Sequence, residues 1–227
     1  MPIRKRLSRN LGLIIGICTG GTALLVLLSP DLQSLHARGP MNTGHEDLLC
    51  EYCHEPARGS LRQQIQANTR YWLGLRDSAA DFGLRPAQNQ HCLACHERPN
   101  NRHPVFRFNE PRFQDARSAI HPESCTSCHR EHRGTRITVE SAEYCQHCHE
   151  ETALRKDPID VSHETLISEQ RWQVCLGCHD FHGNHLMEVP LHLRDVIPPE
   201  RILVYFQGGA SPYGTEKEHE ALQEPRR

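Results

Sequence analysis

The stretch SCTSCHREHRG, residues 124–134, contains two cysteines three positions apart, a histidine directly after the second cysteine, and another histidine three residues later. The pattern C-x-x-C-H occurs five times and uses ten of the eleven cysteines. With 17 histidines among 227 residues, five such cysteine pairs would all be followed by histidine by chance on the order of once in a few hundred thousand chains. The repetition therefore indicates that each copy has a function.

We number the copies motif 1 to motif 5 in chain order. They are Cys50/Cys53/His54, Cys92/Cys95/His96, Cys125/Cys128/His129, Cys145/Cys148/His149 and Cys175/Cys178/His179. C-x-x-C-H is typical of c-type haem attachment, in which the thiols bind the porphyrin vinyl groups and the histidine is the proximal iron ligand. The alternative for a bare cysteine pair is half of a zinc site. The five motifs predict five covalently bound haems as cofactors.

An uncharged stretch follows a basic N-terminus. Residues 11–29 carry no charged side chain. Nineteen residues of helix are about 28 Å long, close to the thickness of the hydrocarbon core of a bilayer. We predict a cytoplasmic basic segment over 1–10 and a transmembrane signal anchor over 11–29, with the rest of the chain in the periplasm of a bacterium as a single-pass inner-membrane protein. The alternative is a signal peptide cleaved near residues 35–37.

Three glycines recur every four residues within this anchor: Gly12, Gly16 and Gly20. On one helix face such spacing lets two helices approach closely, which favours a homo-oligomer. Glycine is also common in membrane helices for other reasons.

The exported part is too poor in apolar residues for an ordinary core, since hydrophobic residues make up 37% of the whole chain. We predict a mainly α fold with much irregular structure, a compact domain organised around five haems. The predicted segments are a linker over 30–44, the pentahaem domain over 45–187 and a Pro-rich, partly disordered tail over 188–227. A net charge of −2 argues against nucleic acid as a partner.

Two local elements can be predicted within these segments. Residues 60–76 form the longest helical candidate, which Ser60 and Gln63 begin with a capping box and in which Leu61, Ile65 and Trp72 share a face beside the first haem. The apolar run over 201–206 favours a surface strand, with a docking segment as the alternative.

Five irons that each bind two imidazoles need five histidines outside the motifs. His132 and His182 each follow a proximal histidine by three residues. Residues three apart on a helix lie on one face, so each is predicted to bind a neighbouring haem rather than its own. The candidate distal ligands lie just upstream of a motif or shortly after one: His45, His103, His121, His132, His163 and His182. The roles of His91, His147 and His185 stay open, and Met41 and Met187 are alternative ligands.

An iron with two imidazoles has no free position for a substrate, so the pattern predicts electron transfer at low potential. No catalytic residue is predicted. The alternative is a multihaem oxidoreductase with one open haem site, either a quinol dehydrogenase or a nitrite- or hydroxylamine-type enzyme. A third class is a structural or sensing subunit whose haems hold a scaffold together.

The motifs and the histidines around them make residues 45–185, about 60% of the chain, resemble the class III multihaem cytochromes c, the small tri- and tetrahaem electron carriers. They are also similar to pentahaem periplasmic donors to nitrite reductase. The resemblance implies an electron relay between haems held by paired imidazoles, with redox proteins of the periplasm or inner membrane as partners. The spacing of the motifs and the anchor depart from the class III pattern.

The layout of an anchor followed by haem motifs resembles the NapC/NirT-type tetrahaem quinol dehydrogenases. This resemblance implies quinol as a donor and periplasmic reductases as acceptors. The chain departs from that group because it has five motifs and no methionine closely follows His54.

Overall fold

The computed structural model describes residues 2–29 and 37–225. The chain divides into two units, Met1–Pro40 and Met41–Arg227. Within the described residues the regular structure is helical, and the β-structure consists of isolated bridges without strands. This confirms the prediction of a mainly α fold with much irregular structure. Part of the predicted linker and of the alternative cleavage site, residues 30–36, lies outside the described residues.

The N-terminal unit contains one helix, α1 (Pro2–Leu28). Its described side chains, residues 10–26, include large apolar groups that are exposed, such as Leu13, Ile17 and Leu25. The described part of the chain contains no helix with the length and apolarity needed to cross a membrane.

The second unit is built from short helices joined by turns. Its α-helices are α2 (Cys50–Cys53), α3 (Leu61–Trp72), α4 (Asn89–His96), α5 (Gln114–Ile120), α6 (Gln146–His149), α7 (His163–Ser168), α8 (Cys175–Cys178) and α9 (Pro199–Phe206). Turns of 3-10 helix lie at Val105–Asn109, Pro111–Phe113, Cys125–Ser127, Ala142–Cys145, Trp172–Val174 and Leu193–Asp195.

Helix α3 begins as predicted. The Ser60 hydroxyl accepts a hydrogen bond from the Gln63 backbone N–H, and the Gln63 side chain accepts one from the Ser60 N–H. The helix ends at Trp72 rather than at residue 76, because Gly74 takes a left-handed backbone conformation with φ of 69°, which glycine adopts without a steric penalty.

The apolar core of the second unit is small and lies around motifs 4 and 5. Its buried members are Ala142, Leu176, Ile202, Phe206 and Tyr213. The Tyr213 hydroxyl donates a hydrogen bond to the Leu176 carbonyl at 2.8 Å, so residues that follow motif 5 by more than thirty positions close over that motif.

The prediction of a strand over 201–206 is wrong, because this run is helix α9. Pro199 occupies the first turn, where a missing N–H has no cost. Ile202 and Phe206 are four residues apart and share the buried face. The predicted tail therefore contributes part of the core, and Leu222 still donates a backbone hydrogen bond to Cys95 at 3.1 Å.

Arg136 fixes the end of α9. Its guanidinium donates hydrogen bonds to the carbonyls of Tyr205 at 2.7 Å and Gly209 at 2.9 Å, and it lies 4.2 Å from the centre of the Tyr205 ring. Because the last carbonyls of a helix lack partners within the helix, this one side chain ties α9 to the segment after motif 3.

Phe206→Ala should lower the free energy of unfolding by about 3–5 kcal/mol, because it leaves a cavity in the core. Val204→Ala is the matched control in the same helix, since Val204 is 59% exposed and Phe206 is 2% exposed; it should change stability by less than about 0.5 kcal/mol. Urea titrations followed by far-ultraviolet circular dichroism measure both. Equal losses would contradict the placement of α9 in the core.

Candidate metal centres

Each motif forms a tight helical turn that brings its histidine back over the first cysteine. The backbone N–H groups of His54, His129 and His179 donate to the carbonyl of the first cysteine of their motifs at 2.9, 3.0 and 2.9 Å. A closed turn of this kind holds the two thiols and the imidazole in fixed relative positions. Each motif therefore places two thiols and one imidazole on a single short turn.

All five motif histidines face a histidine from outside the motifs. Among the described residues the distances between ring centres fall between 5.9 and 6.2 Å. The pairs are His54 with His132 at 6.2 Å, His96 with His45 at 5.9 Å, His129 with His182 at 6.1 Å, His149 with His103 at 6.1 Å and His179 with His163 at 6.2 Å. We call these pairs sites 1 to 5, in the order given, so that each site has the number of its motif.

This spacing has a simple chemical meaning. A bond from a metal to an imidazole nitrogen is about 2 Å long, and that nitrogen lies about 1 Å from the ring centre. Two imidazoles on opposite sides of one metal ion therefore have ring centres about 6 Å apart. The separation in all five sites matches that of two rings that share one ion.

Hydrogen bonds at Nδ1 orient several of these rings. Nδ1 of His54 bonds to the Arg85 carbonyl at 2.7 Å, and Nδ1 of His129 bonds to the Arg136 carbonyl at 2.9 Å. Nδ1 of His103 bonds to the Phe181 carbonyl. A carbonyl only accepts, so Nδ1 carries the proton and Nε2 keeps a free lone pair. This is the tautomer that a metal ligand needs.

In two sites the group that bonds Nδ1 is a carboxylate and not a backbone carbonyl. Nδ1 of His45, in site 2, lies 2.6 Å from Glu131, and Nδ1 of His163, in site 5, lies 2.9 Å from Asp157. Burial opposes the charge on Glu131, but the hydrogen bond and charge of His45, the Asn42 N–H and the charge of His132 together outweigh it and lower the pKa of Glu131. The backbone N–H of His163 lowers the pKa of Asp157. Both acceptors are therefore anions at neutral pH.

Burial keeps several of the paired rings uncharged. It lowers the pKa of His182 to about 3, and it also lowers the pKa values of His96, His103, His129 and His179. A neutral imidazole is the form that binds a metal ion.

The two histidines that follow motifs 3 and 5 reach neighbouring sites by a route other than a shared helix face. His132 faces His54 and His182 faces His129. The chain leaves helical structure after both proximal histidines, and His132 has a left-handed backbone with φ of 63°. This uncommon conformation for a side-chain-bearing residue turns His132 away from motif 3 and toward site 1.

Asp180 shapes the loop that carries His182. Its carboxylate accepts the backbone N–H groups of His182 at 3.2 Å, Asn184 at 2.7 Å and His185 at 3.0 Å. The side-chain oxygen of Asn101 accepts hydrogen bonds from Nδ1 of His182 and from the backbone N–H of His103, both at 3.1 Å. One amide side chain therefore positions a ligand in site 3 and a ligand in site 4.

Of the six predicted distal candidates, His121 is the one that the structure leaves apart from the motifs. Its side chain is 66% exposed and Nδ1 lies 3.3 Å from Glu123. His121 caps the end of α5 in a left-handed conformation with φ of 49°, which points its ring outward.

The other histidines and the methionine considered as possible ligands also lie outside the five pairs. His91 lies 3.5 Å from Glu55, His185 bonds Asp180 at 2.9 Å, and His147 is exposed. Met187 packs against the apolar core.

Cysteine contacts join neighbouring motifs. The side chain of Cys92 lies next to that of Cys125, and the side chain of Cys145 lies next to that of Cys175. Motif 2 therefore lies beside motif 3, and motif 4 beside motif 5.

Sequence reasoning missed the groups that hold the rings. Glu131, Asp157 and Asn101 belong to loops, and only Glu131 carried a local signal, because it directly precedes His132. Among residues 2–29 and 37–225, no group of three or more His, Cys, Asp or Glu side chains is arranged to hold a metal ion; the candidate ligands come as pairs. No family model, curated protein or solved structure matches the chain.

Proposed function

We propose that the chain is an electron-transfer protein that binds five c-type haems, each through two cysteines and two histidines. The observation that supports this proposal is the pairing of every motif histidine with one other histidine at the separation of two rings on one metal ion. The porphyrin supplies four ligands, so a haem iron needs two from the protein. The residues present fit that requirement at all five sites.

Each group of residues has its own role. The motif cysteines attach the cofactor, the motif histidines are the proximal ligands, and His45, His103, His132, His163 and His182 are the distal ligands. When bound, a haem with two imidazoles supplies one-electron exchange without an open position for a substrate. Where an acceptor lies at Nδ1, as for His45, His54, His103, His129 and His163, it keeps the ring in the ligand tautomer and tunes the electron density of its Nε2.

The sites form one connected series. Residues 129–132 belong to site 3 at one end and site 1 at the other, and residues 179–182 connect site 5 with site 3 in the same way. The cysteine contacts place site 2 beside site 3 and site 4 beside site 5. An electron that enters at any site therefore has adjacent sites leading to all the others.

The proposed location is the outer face of a bacterial inner membrane, with redox proteins of the periplasm or inner membrane as partners and quinol as a candidate donor. The support is the uncharged run over 11–29 after a basic N-terminus. Alkaline carbonate extraction of the membrane fraction tests it. A chain that stays in the pellet at full length carries the anchor, whereas a soluble chain that has lost its N-terminus favours the cleaved signal.

The experiment that tests haem binding is a pyridine haemochrome assay with low-temperature EPR of the oxidised protein. Five haems per chain with low-spin signals alone are expected. Fewer than five would contradict the proposal for at least one site. A high-spin signal in untreated protein would instead favour the oxidoreductase with one open haem site.

His103→Ala should convert one haem from low to high spin, because site 4 loses one of its two imidazoles. His121→Ala is the matched control, since His121 also precedes a proline but faces Glu123 and solvent. EPR of both variants, with the haem content measured on the same samples, makes the comparison. A high-spin signal in His121→Ala and none in His103→Ala would reverse the assignment.

Glu131→Gln should raise the reduction potential of one haem, that of site 2. The anionic acceptor makes His45 a stronger electron donor and so favours the oxidised iron. We expect a change of roughly tenfold in the redox equilibrium, which is about 59 mV for a one-electron couple.

Glu123→Gln is the control for this potential, because Glu123 bonds His121, outside the five pairs. Spectroelectrochemical titration should show one shifted component in Glu131→Gln and none in Glu123→Gln. An unchanged titration in Glu131→Gln would show that the carboxylate does not tune the site.

A further inference from the structure

Helix α3 is attached to the protein through two amide side chains, Gln64 and Asn68, while its large apolar side chains are exposed. Gln64 is buried; its amide donates to the carbonyls of Ala57 at 3.2 Å and Gly59 at 3.0 Å, and its oxygen accepts from the Gly83 N–H at 3.0 Å. Asn68 makes a reciprocal pair of hydrogen bonds with the Ala80 backbone, both at 3.1 Å. The helix is therefore fastened through amides.

An exposed apolar ridge runs along α3 beside these amides. Leu61, Ile65 and Trp72 follow helical spacing and share one face, and all three are exposed, with Trp72 at 82%. Leu73 and Leu75 extend the ridge beyond the helix end and are also exposed. We define the ridge as these five residues. Large exposed apolar side chains grouped in this way are typical of an interaction site.

The charge on the helix itself is of one sign. Leu61–Trp72 contains Arg62 and Arg70, both exposed, and no aspartate or glutamate. Outside the helix the charge is mixed, since Arg58 and Arg76 lie near Glu55, Asp77 and Asp81. A surface that covers the ridge is therefore expected to be apolar and to carry negative charge where it meets the helix.

We propose that α3 lies on the surface of a lipid bilayer that contains anionic headgroups, with the ridge inserted among the acyl chains. An amphipathic helix with arginines on its polar side and Trp and Leu on its apolar side is suited to this position. Trp72 and its neighbour Tyr71 lie at the end of the ridge, and aromatic rings of this kind favour the level of the headgroups. This inference goes beyond the proposed function and requires that the haem proposed for site 1 leave the ridge uncovered, whereas the sequence predicts this face beside the first haem.

Contact of α3 with a bilayer would also affect the position of site 1, because α3 and motif 1 are linked. The segment that carries α3 returns to motif 1, where the Glu55 carbonyl accepts from the Arg85 N–H at 2.8 Å and the Arg85 carbonyl bonds Nδ1 of His54 at 2.7 Å. A bilayer that holds α3 would therefore hold site 1 close to its surface.

Hydroxyl-radical footprinting of the purified full chain combined with lipid nanodiscs tests the proposal. Trp72 is the probe, and Phe106, which is 71% exposed, is the internal reference; both rates are normalised to those of the unfolded chain. In discs with phosphatidylglycerol, Trp72 should react about tenfold more slowly relative to Phe106. Protection should fall severalfold in phosphatidylcholine discs and in the variant Arg62→Gln/Arg70→Gln.

The other coverings of the ridge give different results, and each would overturn the proposal. Equal reactivity of Trp72 and Phe106 in both lipids would show that the ridge faces water. Protection that persists without lipid would show that the protein or its cofactor covers the ridge. Protection that depends on the number of chains per disc, or on an added redox protein, would assign the surface to a second copy or to a protein partner.

Discussion

The structure depends on one repeated constraint, two imidazoles held with their ring centres about 6 Å apart. Four of the five pairs join residues more than forty positions apart: His45 with His96, His54 with His132, His103 with His149, and His129 with His182. The apolar core is too small and too local to make these connections, since it lies around motifs 4 and 5. The pairs are therefore long-range contacts that determine the path of the chain.

A second layer of hydrogen bonds gives the five sites different electronic surroundings. Carbonyl oxygens hold His54, His103 and His129, whereas carboxylates hold His45 and His163. An anionic acceptor donates more electron density through the ring than a neutral one. In the proposed cytochrome the protein would thus distinguish haems whose direct ligands are identical.

Local features of the fold could be predicted from the sequence and long-range ones could not. The motif turns and the start of α3 follow from residues three or four apart. His103 and His121 have the same His-Pro context, yet one faces His149 and the other faces solvent. The difference arises from Asn101 and from the end of α5, which no local pattern shows. The run over 201–206 was ambiguous because a short apolar segment fits a strand or a buried helix, and its contacts with motif 5 decide for the helix.

The order of the histidines along the chain determines which pairs can form first during export. His45, His103 and His163 precede their motif partners, so in a chain exported from its N-terminus sites 2, 4 and 5 have both histidines as soon as the motif emerges. Site 1 must wait for His132 and site 3 must wait for His182. In the proposed cytochrome, the segments that follow motifs 3 and 5 would thus be closing steps in maturation, and a chain interrupted before residue 182 would leave site 3, the central site of the series, with one of its two histidines.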